Sequence, residues 1–308
     1  MADVVQCASE SAADDEPLYG TASVVGSWLL LEQPTTWPSD AIRQSGLPPQ
    51  VVRHLERGSR RTGVRVLLLR RPGAGAGSDA DVQGRHLYLV HSRGREPWIE
   101  HRLLDDIAEV TDVDLAVLAA GERQPGRWAQ PWAGPLYLVC THSRHDPCCG
   151  RLGRPLARAL GESDAVGDRV WESSHFGGER FAGNLVCFPH GLYFGRVDPV
   201  VAADVVAAYE QGEIDLDHYR GRAGDPFVVQ AAEYHLRRAL GLVGLDDLAA
   251  VERRTVHEKV EEVVFSTRDG RFAVRVALGS GPSARMLTCT SDRAAPPPAY
   301  TLEGIERV

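Results

Sequence analysis

One segment constrains this chain more than any other. The apolar run Leu136-Tyr-Leu-Val139 ends at Cys140, and Cys149 follows nine positions later. A helix-length stretch from Arg151 to Gly161 comes next, and a β-type run from Arg169 to Ser173 delivers His175 into the turn His175-Phe-Gly-Gly178. Soft thiolate and imidazole donors at the ends of these elements can converge on one point, which favours a strand, a helix and a second strand packed around it. Cys148, His142 and His145 crowd the same stretch. Such density points to ligation rather than packing, and the donor types suit an iron-sulfur site.

The rest of the composition narrows the setting. A chain of 308 residues, 43% hydrophobic and 25% charged, can bury a sizeable core. No run approaches the roughly 18 apolar residues of a membrane span, and the start, Met-Ala-Asp-Val-Val-Gln, lacks the basic and apolar regions of a signal peptide. Cytoplasmic residence is expected, with no membrane partner. The net charge of -8 argues against nucleic acid, because a phosphate-tracking surface is basic. Only Lys259 among the 34 cationic residues is lysine, a bias that suits a high-GC bacterial genome. Six cysteines are too few and too unevenly placed for a disulfide scaffold, so reduced thiols are expected. Cys7, in an acidic lead-in, and Cys289, in a strand-like Thr-Cys-Thr context, are expected to have no metal role.

Periodicity predicts an α/β (α+β) protein. Residues 1–15 read as a mobile lead-in. Residues 16–125 read as an α/β unit, with strands over 22–31, 64–69, 86–91 and 98–104, a helix over 48–60 and a Gly/Ala/Asp loop over 72–84. Residues 126–225 carry the candidate site in the order β-α-β-β-β-α, with a helix over 151–161, a hairpin over 184–197 and a helix opened by Pro199. A helix over 227–240 begins a small α+β extension, 226–308, with strands over 260–266, 271–278 and 284–290, a hairpin turn at Asp269-Gly270 and a proline-rich break over 294–298. Leu87-Tyr-Leu-Val-His-Ser-Arg93 echoes Leu136-Tyr-Leu-Val-Cys-Thr-His-Ser-Arg144, consistent with either a duplicated unit or common strand chemistry.

Glu16-Pro-Leu-Tyr-Gly-Thr21, the Cys140–Cys149 segment, His175-x-Gly-Gly and Arg180-Phe-Ala-Gly-Asn184 together resemble the sucrase/ferredoxin-like family, across roughly residues 16–238. The resemblance implies a thioredoxin-like ferredoxin domain. Fungal members are understood to hold a 2Fe-2S cluster with two cysteines nine apart and two histidines four apart. Cys140, Cys149 and His175 match that pattern, but the fourth position holds Glu179. Glu179, through a harder carboxylate donor, or Cys187, a thiolate inside the apolar run Leu185-Val-Cys-Phe188, could complete the set, as could another residue or solvent. His142, His145 and His190 are expected to hydrogen-bond near the site rather than ligate.

The expectation is therefore a one-electron carrier with mixed Cys/His ligation, exchanging electrons with redox partner proteins and without catalytic residues of its own. An imidazole in place of a thiolate would raise the cluster's reduction potential. Two other classes are weighed beside it. A thioredoxin-type thiol-disulfide enzyme would want Cys-x-x-Cys at a helix N-terminus, where this chain has adjacent Cys148 and Cys149. A structural zinc protein would use Cys140, Cys149, His175 and Cys187.

Overall fold

The apolar runs read as strands line up in a continuous sheet in the computed structural model, which describes residues 6–73 and 84–308. The predicted loop over 72–84 lies almost wholly outside the described residues. The acidic lead-in instead contains a helix, α1 (Cys7–Ala13), with Cys7, Ala8 and Ser11 buried. The polar composition of this segment hid the fact that its small residues fit against the rest of the protein.

The first unit runs β1 (Ser27–Glu32), α2 (Pro49–Thr62), β2 (Arg65–Arg70), β3 (Arg85–His91) and β4 (Trp98–Leu104). β1 pairs parallel with β2 and antiparallel with β3, and β3 pairs antiparallel with β4. Because side chains alternate along a strand, Leu29 and Leu31 of β1 face one core with Val51 and Leu55 of α2, while Trp28 and Leu30 face another. The mixed stretch after β4 forms a 3-10 turn and a short helix, α3 (Leu115–Ala119), capped by the Asp114 side chain. A two-residue strand, β5 (Gln130–Pro131), closes that edge against β4.

The second unit repeats the pattern with β6 (Leu136–Cys140), α4 (Pro147–Gly161), β7 (Val170–Ser173), β8 (Leu185–Phe188) and β9 (Leu192–Phe194). β6 pairs parallel with β7 and antiparallel with β8, and β8 pairs antiparallel with β9. Antiparallel pairing of β2 with β7, Leu69 opposite Ser173 and Arg70 opposite Glu172, joins the units into a single sheet. The core containing Trp28, Tyr88, Leu138, Trp171 and Phe188 spans both units. After α5 (Ala202–Glu210), the polar segment from Glu213 to Arg222 adds an edge strand, β10 (Tyr219–Arg222), beside β9. Its central arginine, Arg220, is fully buried, which hydropathy alone would not suggest.

α6 (Phe227–Leu240) lies against an antiparallel meander of β11 (Leu248–His257), β12 (Val260–Thr267), β13 (Gly270–Ser280) and β14 (Pro298–Arg307). Val229, Ala232 and Leu236 share its core with Val263, Phe265 and Val274. The predicted strand over 284–290 is instead irregular backbone between β13 and β14. The last strand begins at Pro298, where an edge position tolerates proline. The molecule is thus α+β, as expected, and no helix among the described residues is long and apolar enough to cross a membrane.

Candidate metal centre

Three elements bring Cys140, Cys149 and His175 together. Cys140 is the last residue of β6, Cys149 lies in the first turn of α4, and His175 follows β7. α4 begins earlier than the sequence predicts, because Asp146 caps it, accepting a hydrogen bond from the Cys148 backbone N–H at 2.8 Å, and Pro147 occupies the first helical position. Close approach of helix to strand then depends on Gly153, where an added Cβ would lie 2.0 Å from the Cys140 carbonyl oxygen.

The thiols of Cys140 and Cys149 each lie 3.7 Å from the same nitrogen, Nδ1 of His175. Glu179, expected as the fourth donor, stands on the other side of the ring, its Oε2 3.3 Å from Nε2. It backs the imidazole rather than joining the thiols, and the turn that places it there is held from beneath. Arg220 donates to the carbonyl of Gly177 at 3.2 Å and to Asn184 Oδ1 at 2.7 Å, while Asn184 Nδ2 donates to the Gly178 carbonyl at 2.7 Å. Gly178 adopts φ of 82°, and a Cβ there would lie 2.2 Å from the Arg220 guanidinium, so both conformation and space call for glycine.

The two other histidines of the segment support His175 from its flanks. His142 Nδ1 accepts from the His175 backbone N–H at 3.3 Å, which leaves Nε2–H to donate to the Pro38 carbonyl at 2.7 Å. His145 stacks on the His175 ring at 3.9 Å between centroids. His190 lies apart, bonded through Nδ1 to the Tyr209 hydroxyl.

Electrostatics bind the donors into a unit. Burial alone would raise the Cys140 thiol, but hydrogen bonds from Cys149 and His175 outweigh it and hold Cys140 well below its ordinary range. Cys149 moves the other way, raised by its bond to Cys140 and by burial. Burial opposes the charged form of His175, yet the Cys140 sulfur and Glu179 together lift it to about 9. Glu179, desolvated but facing that imidazole, falls to about 2. Two thiols and an imidazole backed by a carboxylate make a donor set for a soft cation once the metal displaces their protons.

Cys187 is corrected as an alternative donor. It pairs with Tyr137 across β8 and β6, and both point into the core beneath α4 and α5, whereas Cys140 belongs to the opposite face. A period of two separates them. Cys148 also departs from His175, since consecutive helical residues diverge by about 100°, and it meets Cys7 and Cys289 instead. Of the arginines near the site, Arg180 pairs with Glu16 at 2.9 Å, and Arg196 bonds Ser11.

Residues 18–221, more than half of the chain, match the family described as sucrase/ferredoxin-like. Altered inheritance of mitochondria protein 32 of Eremothecium gossypii is 33% identical over 105 residues, covering 30% of this chain and 34% of that protein. Its namesakes in Meyerozyma guilliermondii, 34% identical over 95 residues, and Debaryomyces hansenii, 34% over 97, cover 28% of this chain and 34% and 35% of theirs. The chain thus aligns with about a third of the length of these curated relatives. No solved structure matches it. The expectation of an iron-sulfur, one-electron carrier is corrected by these findings: the relatives are named for inheritance of mitochondria, and neither that name nor the family match supports electron transfer. What the motifs and the match over residues 18–221 do establish is that the chain belongs to the sucrase/ferredoxin-like family.

Proposed function

We propose that this is a metal-binding protein in which Cys140, Cys149 and His175 hold a soft metal ion, with Glu179 orienting the histidine. The observation that carries the reading is the approach of both sulfurs to the same imidazole nitrogen, at 3.7 Å each. Metal–sulfur bonds of about 2.3 Å and a metal–nitrogen bond of about 2.0 Å at tetrahedral angles separate sulfur from nitrogen by about 3.5 Å. The carboxylate behind the ring matches the support that metal-bound histidines receive, fixing the tautomer and raising ligand basicity. A two-iron, two-sulfide cluster would spread its donors over two metals and take a fourth protein ligand, and neither Glu179 nor Cys187 faces the thiols.

The assigned role is binding. Cys140 and Cys149 are 1% and 0% exposed, which leaves no approach for a substrate at either sulfur. Cytoplasmic residence stays part of this proposal, while the relatives' printed name attaches inheritance of mitochondria to those proteins.

The test is metal analysis of protein purified anaerobically, beside its Cys149→Ser and His175→Ala variants. Loss of one metal equivalent per chain in both variants is the expected result. Unchanged metal content in both would overturn the site, and two irons with two acid-labile sulfides per chain would replace the single ion by a cluster.

A further inference from the structure

We propose that Cys7, Cys148 and Cys289, with Asp146, form a second metal site, for a single soft cation of the zinc class. The three thiols come from α1, the first turn of α4 and the irregular segment between β13 and β14, separated in sequence by 141 residues or more. Their sulfurs make a triangle with edges of 3.8 Å (Cys7 to Cys148), 3.5 Å (Cys148 to Cys289) and 3.4 Å (Cys289 to Cys7). Zinc–sulfur bonds of about 2.3 Å at tetrahedral angles set sulfurs about 3.8 Å apart. Asp146 Oδ2 stands 3.8 Å from the Cys7 sulfur, at the fourth corner.

The carboxylate supplies an independent reason to expect a cation. Asp146 is 0% exposed and forms no ion pair with an arginine, lysine or histidine among the described residues. It accepts from the Cys148 and Cys289 backbone N–H groups, each at 2.8 Å, and from the Thr288 hydroxyl at 3.2 Å. A buried carboxylate is costly unless paired or bound to metal, and three thiols beside it offer no positive charge. A soft divalent ion satisfies all four groups at once, each ligating thiol giving its proton to solvent.

The site explains the adjacent cysteines. Cys149 serves His175 on one side of the helix start, and Cys148 serves Cys7 and Cys289 on the other. It also adds to what holds the segment between β13 and β14 against the N-terminal region, beside the ion pairs of Arg285 with Asp14 and Glu16 and the bond from Ser283 to Asp14. A metal there would staple three regions that are remote in sequence.

The proposal is independent of the Cys140–Cys149–His175 site, and the experiment keeps the two apart. In the full-length Cys140→Ser/Cys149→Ser chain, purified under reductant, zinc content and the thiolate-to-cobalt absorption on titration with Co(II) are measured. One equivalent per chain is expected, abolished by adding Cys289→Ser. A natively folded double variant with no thiolate-to-cobalt band, or with a band unaffected by Cys289→Ser, would overturn the site. Should the double variant not fold, Cys289→Ser in the wild-type chain gives the same decision: loss of one equivalent supports the site, and unchanged metal content overturns it. Removal of zinc by a chelator should also speed tryptic cleavage after the exposed Arg293 severalfold, and an unchanged rate would argue against the staple.

Discussion

The two halves of the large sheet have the same plan and different contents. In each, a strand, a helix and a parallel strand are followed by a hairpin whose first strand pairs antiparallel with the opening strand. The segment leaving β1, Gln33–Pro48, contains no cysteine or histidine, whereas the segment leaving β6 carries His142 and His145 and leads directly to Cys148 and Cys149. That first segment carries Trp37, whose indole N–H donates to the Gln33 carbonyl at 3.0 Å, with the Arg70 guanidinium 4.3 Å above the ring. The plan therefore does not need the donors. They are an addition to one half, and the other supports them: the Pro38 carbonyl accepts from His142, and Trp37 packs edge-on to it at 6.0 Å.

The hardest test of that difference is Arg220, which lies on the edge strand β10, where the edge strand of the first half is Gln130–Pro131. Arg220 is 1% exposed, and its guanidinium donates to Thr21, Gly177 and Asn184. Arg220→Ala would strand several buried acceptors, each costing about 1–3 kcal/mol, so a loss of about 3–4 kcal/mol in chemical denaturation is expected, together with loss of bound metal. A variant that kept both would show that the His175–Glu179 turn needs no clamp.

Glu179→Gln sharpens the comparison more selectively. It keeps the shape of the side chain while removing the charge that faces His175 Nε2, and metal affinity at the first site should fall about 10–100-fold. The metal-free chain should lose stability as well, because Glu179, held at about 2, and His175, lifted to about 9, stabilise each other in the absence of metal, so affinity and stability are measured separately. Partial recovery with Glu179→Asp would separate a positioning role from simple packing.

How much of this was legible in the sequence differs between the two candidate sites. Cys140, Cys149 and His175 stand at the ends of strongly patterned elements, so their meeting follows once the strand, helix and strand are recognised. The faces were less accessible: Cys187 looked available until its pairing with Tyr137 placed it on the opposite side of the sheet from Cys140. Cys7, Cys148 and Cys289 have no motif spacing, because long-range chain closure rather than local periodicity brings them together. β11 escaped notice for a related reason. All but its first residue are exposed, so the alternation that marks a half-buried strand is absent.

The first half makes its own prediction through the His86–His101 pair, whose Nδ1 and Nε2 atoms lie 2.8 Å apart beside Tyr88, Trp132 and Trp171. Burial, with the neighbouring His86, lowers His101 to about 4, and burial and Arg71 lower His86. Since both are depressed below the unfolded value of about 6.5, their neutral forms contribute stability that is fully present above that pH and lost as pH falls toward 4. Urea midpoints measured from pH 7 to 4.5 should therefore decline, and His101→Gln should flatten the decline. An identical slope in the variant would remove this pair from the account.

The smallest effect belongs to Cys187, and it discriminates between the two faces of the sheet. If the thiol is only a small apolar group in the core with Tyr137, Leu192 and Phe194, Cys187→Ala removes one buried atom and should cost about 1 kcal/mol, in keeping with loss of a methyl-sized group. Metal content at the Cys140 site should not move. A fall of one equivalent would mean that the second half repacks around a metal so that β8 presents its opposite face, and the likeness in pairing between the halves would then fail at the strand where it is now closest.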